Sequence, residues 1–120
     1  MYKSIALFRR KAGLTHEAFK AYYEDRHVPL KASLLTLPGL ERYVRRYLEP
    51  ISDPITGDLR QSGFDVITEL WFRDKASFDH YRAVSLDPEY RRLTAEDEDR
   101  FLDREHMYFH TVDERDLALS

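Results

Sequence analysis

Phe19–Leu30 reads FKAYYEDRHVPL, with three aromatic side chains at close spacing, a charged run, and a histidine just ahead of Val-Pro-Leu. Upstream, Thr15 is of a helix-capping type and Glu17 supplies an acid for a first turn, so a helix is expected to start there. At about 100° per residue, Phe19, Tyr22, Tyr23, the stem of Arg26 and Leu30 share one stripe, and His27 falls at its edge, one turn after Tyr23. His27 thus borders the buried face. Near a helix end the dipole favours its protonated form, while burial opposes it, and both keep it titrating near neutrality. Such a histidine is the usual general acid or base at physiological pH, and a tyrosine one turn away can orient it or polarise a carbonyl. The competing reading makes Tyr22 and Tyr23 plain core.

Working outward, Tyr2 to Arg10 is apolar and aromatic-rich and runs into Lys-Ala-Gly, a strand followed by a turn. After Leu37-Pro-Gly39, the run LERYVRRYL alternates, with Val44 and Leu48 on one face and Tyr43, Arg45 and Tyr47 on the other. Residues 50–63, rich in proline, glycine and polar groups, form a long connection. DVITELWF is the most β-prone segment, and Asp74 then caps a helix carrying Ala76, Phe78 and Tyr81. Asp87-Pro88-Glu89 starts a further polar helix, expected to run to about Arg104, and HMYFHTV closes the pattern as a fourth strand. The order β, α, β, β, α with a helical insert, then β, is the α+β ferredoxin-like arrangement with a four-stranded antiparallel sheet. Helices cover one sheet face. Tyr43, Tyr47 and Tyr108 are expected on faces opposite the aliphatic ones, and a homodimer that stacks two sheets would hide the uncovered side.

Composition bounds the function. The 120 residues, 42% hydrophobic and 34% charged, suit one ordinary domain over 1–120. Nineteen basic and twenty-two acidic residues leave a net charge of −3 with the signs interspersed, which disfavours a general nucleic-acid binder. With no cysteine there is no disulfide, thiolate chemistry or Cys-ligated metal, in keeping with a cytoplasmic protein. The apolar run near the start is too short for a signal core or a membrane span. Gly-rich phosphate loops, a GxSxG elbow and a dinucleotide fingerprint are missing, so no cofactor is expected.

Further residues are candidates for a small-molecule site. Glu69 shares a strand face with Ile67 and Trp71; it is a base if it lies in a dry cleft, and a structural ion pair with Arg9, Arg45 or a histidine if it does not. Arg9 could anchor an anionic substrate group. His106, Tyr108 and His110 alternate on the fourth strand, as pocket lining or dimer contact. The two histidines would lie ~13 Å apart there, too far to share a metal ion.

FRRKAGLTHEAFKAYYEDRHVPL, LPGLERYV and ELWF together resemble the EthD family, a branch of the dimeric α+β barrel superfamily. The resemblance covers nearly the whole chain; the second helix aromatic, often Trp in such sequences, is Tyr23 here. It implies a barrel formed by two subunits. It also implies a small apolar cleft with histidines and tyrosines that move protons, in relatives ranging over ether-degradation accessory proteins, lactone isomerases, polyketide cyclases or decarboxylases, and cofactor-independent oxygenases. Three readings follow: a cofactor-free enzyme with His27 as proton shuttle and Tyr23 or Tyr43 stabilising an enolate; a cofactor-free oxidoreductase; and a non-catalytic carrier. Tyr22, Tyr43, Glu69, Trp71, His106 and Arg9 are the expected substrate contacts.

Overall fold

A computed structural model describes residues 1–120. Strands β1 (Tyr2–Phe8), β2 (Leu40–Tyr47), β3 (Val66–Phe72) and β4 (Tyr108–Thr111) form one antiparallel sheet in the order β2-β3-β1-β4. Helices α1 (His16–Tyr22), α2 (Val28–Leu34), α3 (Lys75–Val84) and α4 (Pro88–Glu98) complete a ferredoxin-like α+β domain. No helix is long and apolar enough to cross a membrane.

Period-two alternation decides which strand residues meet the helices. In β3 the pattern is strict: Val66, Thr68, Leu70 and Phe72 are buried, and Ile67, Glu69 and Trp71 lie on the uncovered face. Cross-strand register then carries Tyr43, Arg45 and Tyr47 to the covered face, opposite Leu70, Thr68 and Val66. This corrects the expectation that Tyr43 and Tyr47 belong to the side left for a partner; of the three tyrosines, only Tyr108 is there, beside Leu7.

Caps explain the helix starts. Thr15 Oγ1 accepts the Ala18 N–H, Asp74 the Ser77 N–H, and Asp87 the Tyr90 N–H. Gly39, at φ 81°, turns the chain into β2 where a Cβ would stand 2.0 Å from Ser77 Oγ, so only glycine fits against α3.

Several boundaries differ from the sequence reading. β1 ends at Phe8, and Arg10 makes only an isolated bridge with Leu102. The connection 50–63 contains its own small turn, with Asp53 N–H donating to the Asp58 carbonyl and Ser52 bridged to Leu59. α4 stops at Glu98 because Phe101 and Leu102 drop into the core, both almost wholly buried. Asp103 then caps a short 3₁₀ turn, Arg104–His106, so His106 precedes β4 rather than alternating along it.

The first helix holds the largest difference. α1 and α2 are joined by a π-helical turn, Tyr23–His27, closed by the Val28 N–H on the Tyr23 carbonyl. Pro29 has no N–H for the carbonyl one turn back, and the ladder widens just ahead of it. His27 is therefore in the middle of a longer helical segment, not near its end.

Candidate functional site

Two hydrophobic clusters flank a gap between helices and sheet. One gathers Ala6, Phe8, Phe19, Tyr23, Val66, Phe101 and Leu102; the other gathers Leu35, Leu70, Phe72 and Tyr90. Between them is a cavity of about 280 Å³. Its floor is the covered sheet face, with Ala6, Tyr43, Thr68 and Phe109; its walls come from α3 and the long first helical segment. Along that segment Tyr23, His27, Lys31 and Leu35 all reach it. Residues four apart drift around a regular α-helix, and the wider π turn between Tyr23 and His27 works against that drift.

At one end stands the histidine. His27 is 2% exposed, against Phe101 at a ring separation of 4.9 Å and Tyr23 at 5.4 Å. Its Nδ1 is 2.8 Å from Asp97 Oδ2. Burial lowers the proton affinity of His27 and the nearby Lys31 charge adds to this, outweighing the hydrogen bond to Asp97. Asp97 is the reverse case: burial works against its charge, but donors Tyr22 Oη at 2.6 Å, His27 and Arg100 Nη1 at 3.2 Å hold it below the ordinary carboxylate range. An ionised Asp97 and a neutral His27 put the ring proton on Nδ1 and leave Nε2 with a free lone pair.

Beside it runs a hydroxyl chain. Tyr43 Oη donates to Tyr23 Oη at 3.1 Å, and Tyr23 Oη lies 2.6 Å from Thr68 Oγ1. Either hydroxyl can be the donor of the Tyr23–Thr68 bond; with Tyr23 as the donor, the Thr68 proton is left for another acceptor. Burial pushes the Tyr23 phenol up to about 12 and raises Tyr43 as well, so both stay protonated donors at neutral pH. Behind them Arg45 makes a two-pronged pair with Glu24 at 2.7 and 3.0 Å, and Tyr47 Oη donates to the same carboxylate at 2.6 Å.

The other end is charged differently. Lys31 Nζ donates to the Tyr90 phenol, and burial lowers the amine to about 8. Glu98 is raised by burial, against the charges of Lys31 and of Arg104, whose Nη1 stands 3.3 Å away.

The structure brings together three of the expected residues: His27, Tyr23 and Tyr43. Tyr22 touches the site only through Asp97. Glu69 and Trp71 lie on the opposite face of the sheet, where Glu69 accepts from Arg46 Nε and Trp71 Nε1, both at 2.7 Å. Burial alone would raise Glu69, but those two donors keep it below its ordinary value. His106 Nδ1 pairs with Asp103 at 2.7 Å, outside the cavity lining. Arg9 lines a separate, polar concavity with His16, Asp65 and Asp103, its guanidinium over the Phe64 ring at 4.7 Å. The sequence reading missed Asp97, Thr68, Lys31 and Glu98. For Lys31 the signal was present, one helical turn beyond His27. No cluster of three or more histidine and acid side chains that could hold a metal ion is present.

The EthD domain profile matches residues 11–105. The chain belongs to the EthD family. Among curated proteins none matches it. Solved structures share its fold at low identity. An EthD family protein of Bacillus halodurans is 18% identical, with a TM-score of 0.60 over 96% of this chain and 100% of its own. A dimeric ferredoxin-like protein of unknown function from Thermobifida fusca is 18% identical, with a TM-score of 0.55 over 92% and 88%. The hydroxynitrile lyase of Passiflora edulis is 16% identical, with a TM-score of 0.51 over 97% and 96%. Within this EthD domain, the cavity is therefore set against a sheet whose topology those proteins share.

Proposed function

We propose that this EthD protein is a small cofactor-independent enzyme in which His27 moves a proton on an enolisable or aromatic carbonyl compound. The observation that carries this reading is the Asp97–His27 pair: a buried imidazole, held neutral, with Nδ1 fixed on a carboxylate and Nε2 free on a ring that lines the cavity. An unprotonated Nε2 takes the proton α to a carbonyl, and the imidazolium so formed is stabilised by Asp97. Negative charge then develops on the substrate oxygen, for which the Thr68 hydroxyl is the donor when Tyr23, itself accepting from Tyr43, donates to Thr68. Return of the proton to a different carbon completes an isomerisation; attack of the enolate on a second carbonyl of the substrate, with the proton delivered to the new alkoxide, completes a cyclisation; in a β-oxo acid, loss of carbon dioxide itself generates the enolate, which then takes up a proton. The Passiflora edulis hydroxynitrile lyase supports the reading as a bond-cleaving enzyme on a similar fold.

The assembly we propose is a homodimer, as in the dimeric Thermobifida fusca neighbour. The uncovered sheet face carries Ile5, Leu7, Val44 and Ile67 around Trp71, whose ring is covered by Lys3 Nζ at 3.8 Å and Arg42 at 4.6 Å. A second copy buries these groups face to face. A cytoplasmic location remains part of the proposal and rests on the cysteine-free composition.

The test is turnover by the purified protein and by His27→Ala on a panel of phenolic ketones and lactones, followed by mass spectrometry under air and under nitrogen. Conversion that is lost in the variant and indifferent to oxygen is the expected result. Conversion only under air makes the protein an oxidoreductase, and tight binding without conversion makes it a carrier.

A further inference from the structure

The proton-transfer reading leaves one end of the cavity unused, and that end is cationic. Lys31 lies one turn beyond His27 on the same helical segment, and Arg82 enters the same lining from α3. Neither side chain has a carboxylate within 4.0 Å: the other basic groups of the region, Arg100 and Arg104, pair with Asp97 and Glu98, while Lys31 reaches only the Tyr90 phenol. The Lys31 ammonium also stands 4.4 Å over the Tyr90 ring. Glu98 lines the cavity too and its field reaches Lys31, but it is in contact with Arg104, at 3.3 Å, and burial raises it towards its neutral form. A half-buried ammonium between tyrosines and leucine, with no carboxylate of the protein in contact with it and only the burial-raised Glu98 facing it, is an unfavourable arrangement in the absence of ligand.

We propose that Lys31, assisted by Arg82, is the carboxylate-binding group of this cavity, and that the substrate is a small oxo acid whose carbonyl lies towards His27 and Thr68. The inference rests on the proposed function and adds to it the class of substrate. His27 and Lys31 are one helical turn apart, about 5–6 Å between Cβ atoms, so the imidazole and the ammonium can reach the carbonyl end and the carboxylate of one small oxo acid. The cavity, about 280 Å³, is at the small end of ligand pockets and suits a single ring with a short acid arm. Anchoring the acid at Lys31 also orients the α-carbon towards Nε2, so binding and positioning come from one contact.

Calorimetric titration separates this claim from the catalytic one, because it needs no turnover. Phenylpyruvate, benzoylacetate and 2-oxobutanoate are each compared with their methyl esters, on the wild-type protein and on Lys31→Met and Lys31→Arg. At least one acid is expected to bind the wild type about tenfold or more tightly than its ester, since the contact to the ammonium is charge-assisted. Lys31→Met is expected to abolish the preference and Lys31→Arg to keep it, with thermal melting showing that each variant is folded. The proposal is overturned if no acid outbinds its ester, if Lys31→Met keeps the preference, or if borohydride traps the acid's carbonyl covalently on Lys31. Retained acid preference in a protein without turnover would instead sink the catalytic reading and leave the carboxylate site standing.

Discussion

Asp97 and Glu98 are neighbours on one helix, and they serve the two ends of one cavity in opposite ways. Asp97 collects three hydrogen-bond donors and is held ionised; Glu98, with one arginine at 3.3 Å and the Lys31 charge set against its burial, is still pushed up. Hydrogen-bond donors outweigh burial at Asp97, and at Glu98 burial prevails. The consequence passes to their partners across the gap. His27, tied to the ionised acid, is fixed in one tautomer with a free Nε2, while Lys31, facing the weaker acid, is left with only a phenol. Divergent environments for similar groups are how a protein assigns acid, base and anchor roles within a few ångströms.

The sharpest way to break this contrast is to remove the base. His27→Ala is expected to lower turnover by about 10²–10⁴-fold, the usual worth of a positioned general base, as measured on whichever panel compound the wild type converts. Next comes Asp97→Asn, a change in a positioning residue, expected to cost on the order of 10²-fold because an amide offers N–H as readily as C=O and frees the tautomer. Its diagnostic is the pH profile. His27 must be neutral, so activity falls as pH drops through its folded-state value, which lies below 6.5; removing the Asp97 charge, which raises that value, should move the acid limb lower still.

Tyr43→Phe removes the donor to Tyr23 and leaves the Tyr23–Thr68 bond in place; a loss of about 1 kcal/mol in denaturant unfolding is expected, with a modest drop in turnover. The Lys31 end is probed through linkage. Its folded-state value is about 8 against 10.5 for the free side chain, so between those values the unfolded chain binds more protons and stability rises with pH. Lys31→Met is expected to flatten that rise in melting temperatures recorded from pH 8 to 10.5. The smallest effect is expected from Glu69→Gln, which alters a pair on the far side of the sheet and leaves turnover unchanged.

How much of this is legible in the sequence varies with distance along the chain. The Tyr23–His27 pairing is a local spacing and can be read directly, as can the strand order that follows from the alternation of β and α segments. The face assignment of β2 cannot, because Tyr43 and Val44 are both good candidates for burial; only register with the strictly alternating β3 decides it. The π turn leaves a faint trace, a proline two residues after the histidine, inside a segment that otherwise reads as a regular helix. Asp97 leaves none. It lies in the run EDEDR, 70 residues from His27, where every side chain reads as a solvated helix surface. Glu69 was the more visible carboxylate because it interrupts an apolar strand, yet period two places it with Trp71 on the uncovered side. His106 shifted for a local reason: Asp103 caps a turn and draws the imidazole to itself.

Hydrogen–deuterium exchange at the carbon α to a carbonyl tests proton abstraction by His27 most directly, since it registers the first step whatever follows. NMR of the same phenolic ketones, lactones and oxo acids in D₂O, with wild type and His27→Ala side by side, is the measurement. The account predicts catalysed exchange into at least one compound, slowing on acidification through the His27 titration and absent in the variant. Exchange that persists at the wild-type rate in His27→Ala, or no catalysed exchange into any compound that the wild type binds, would contradict it.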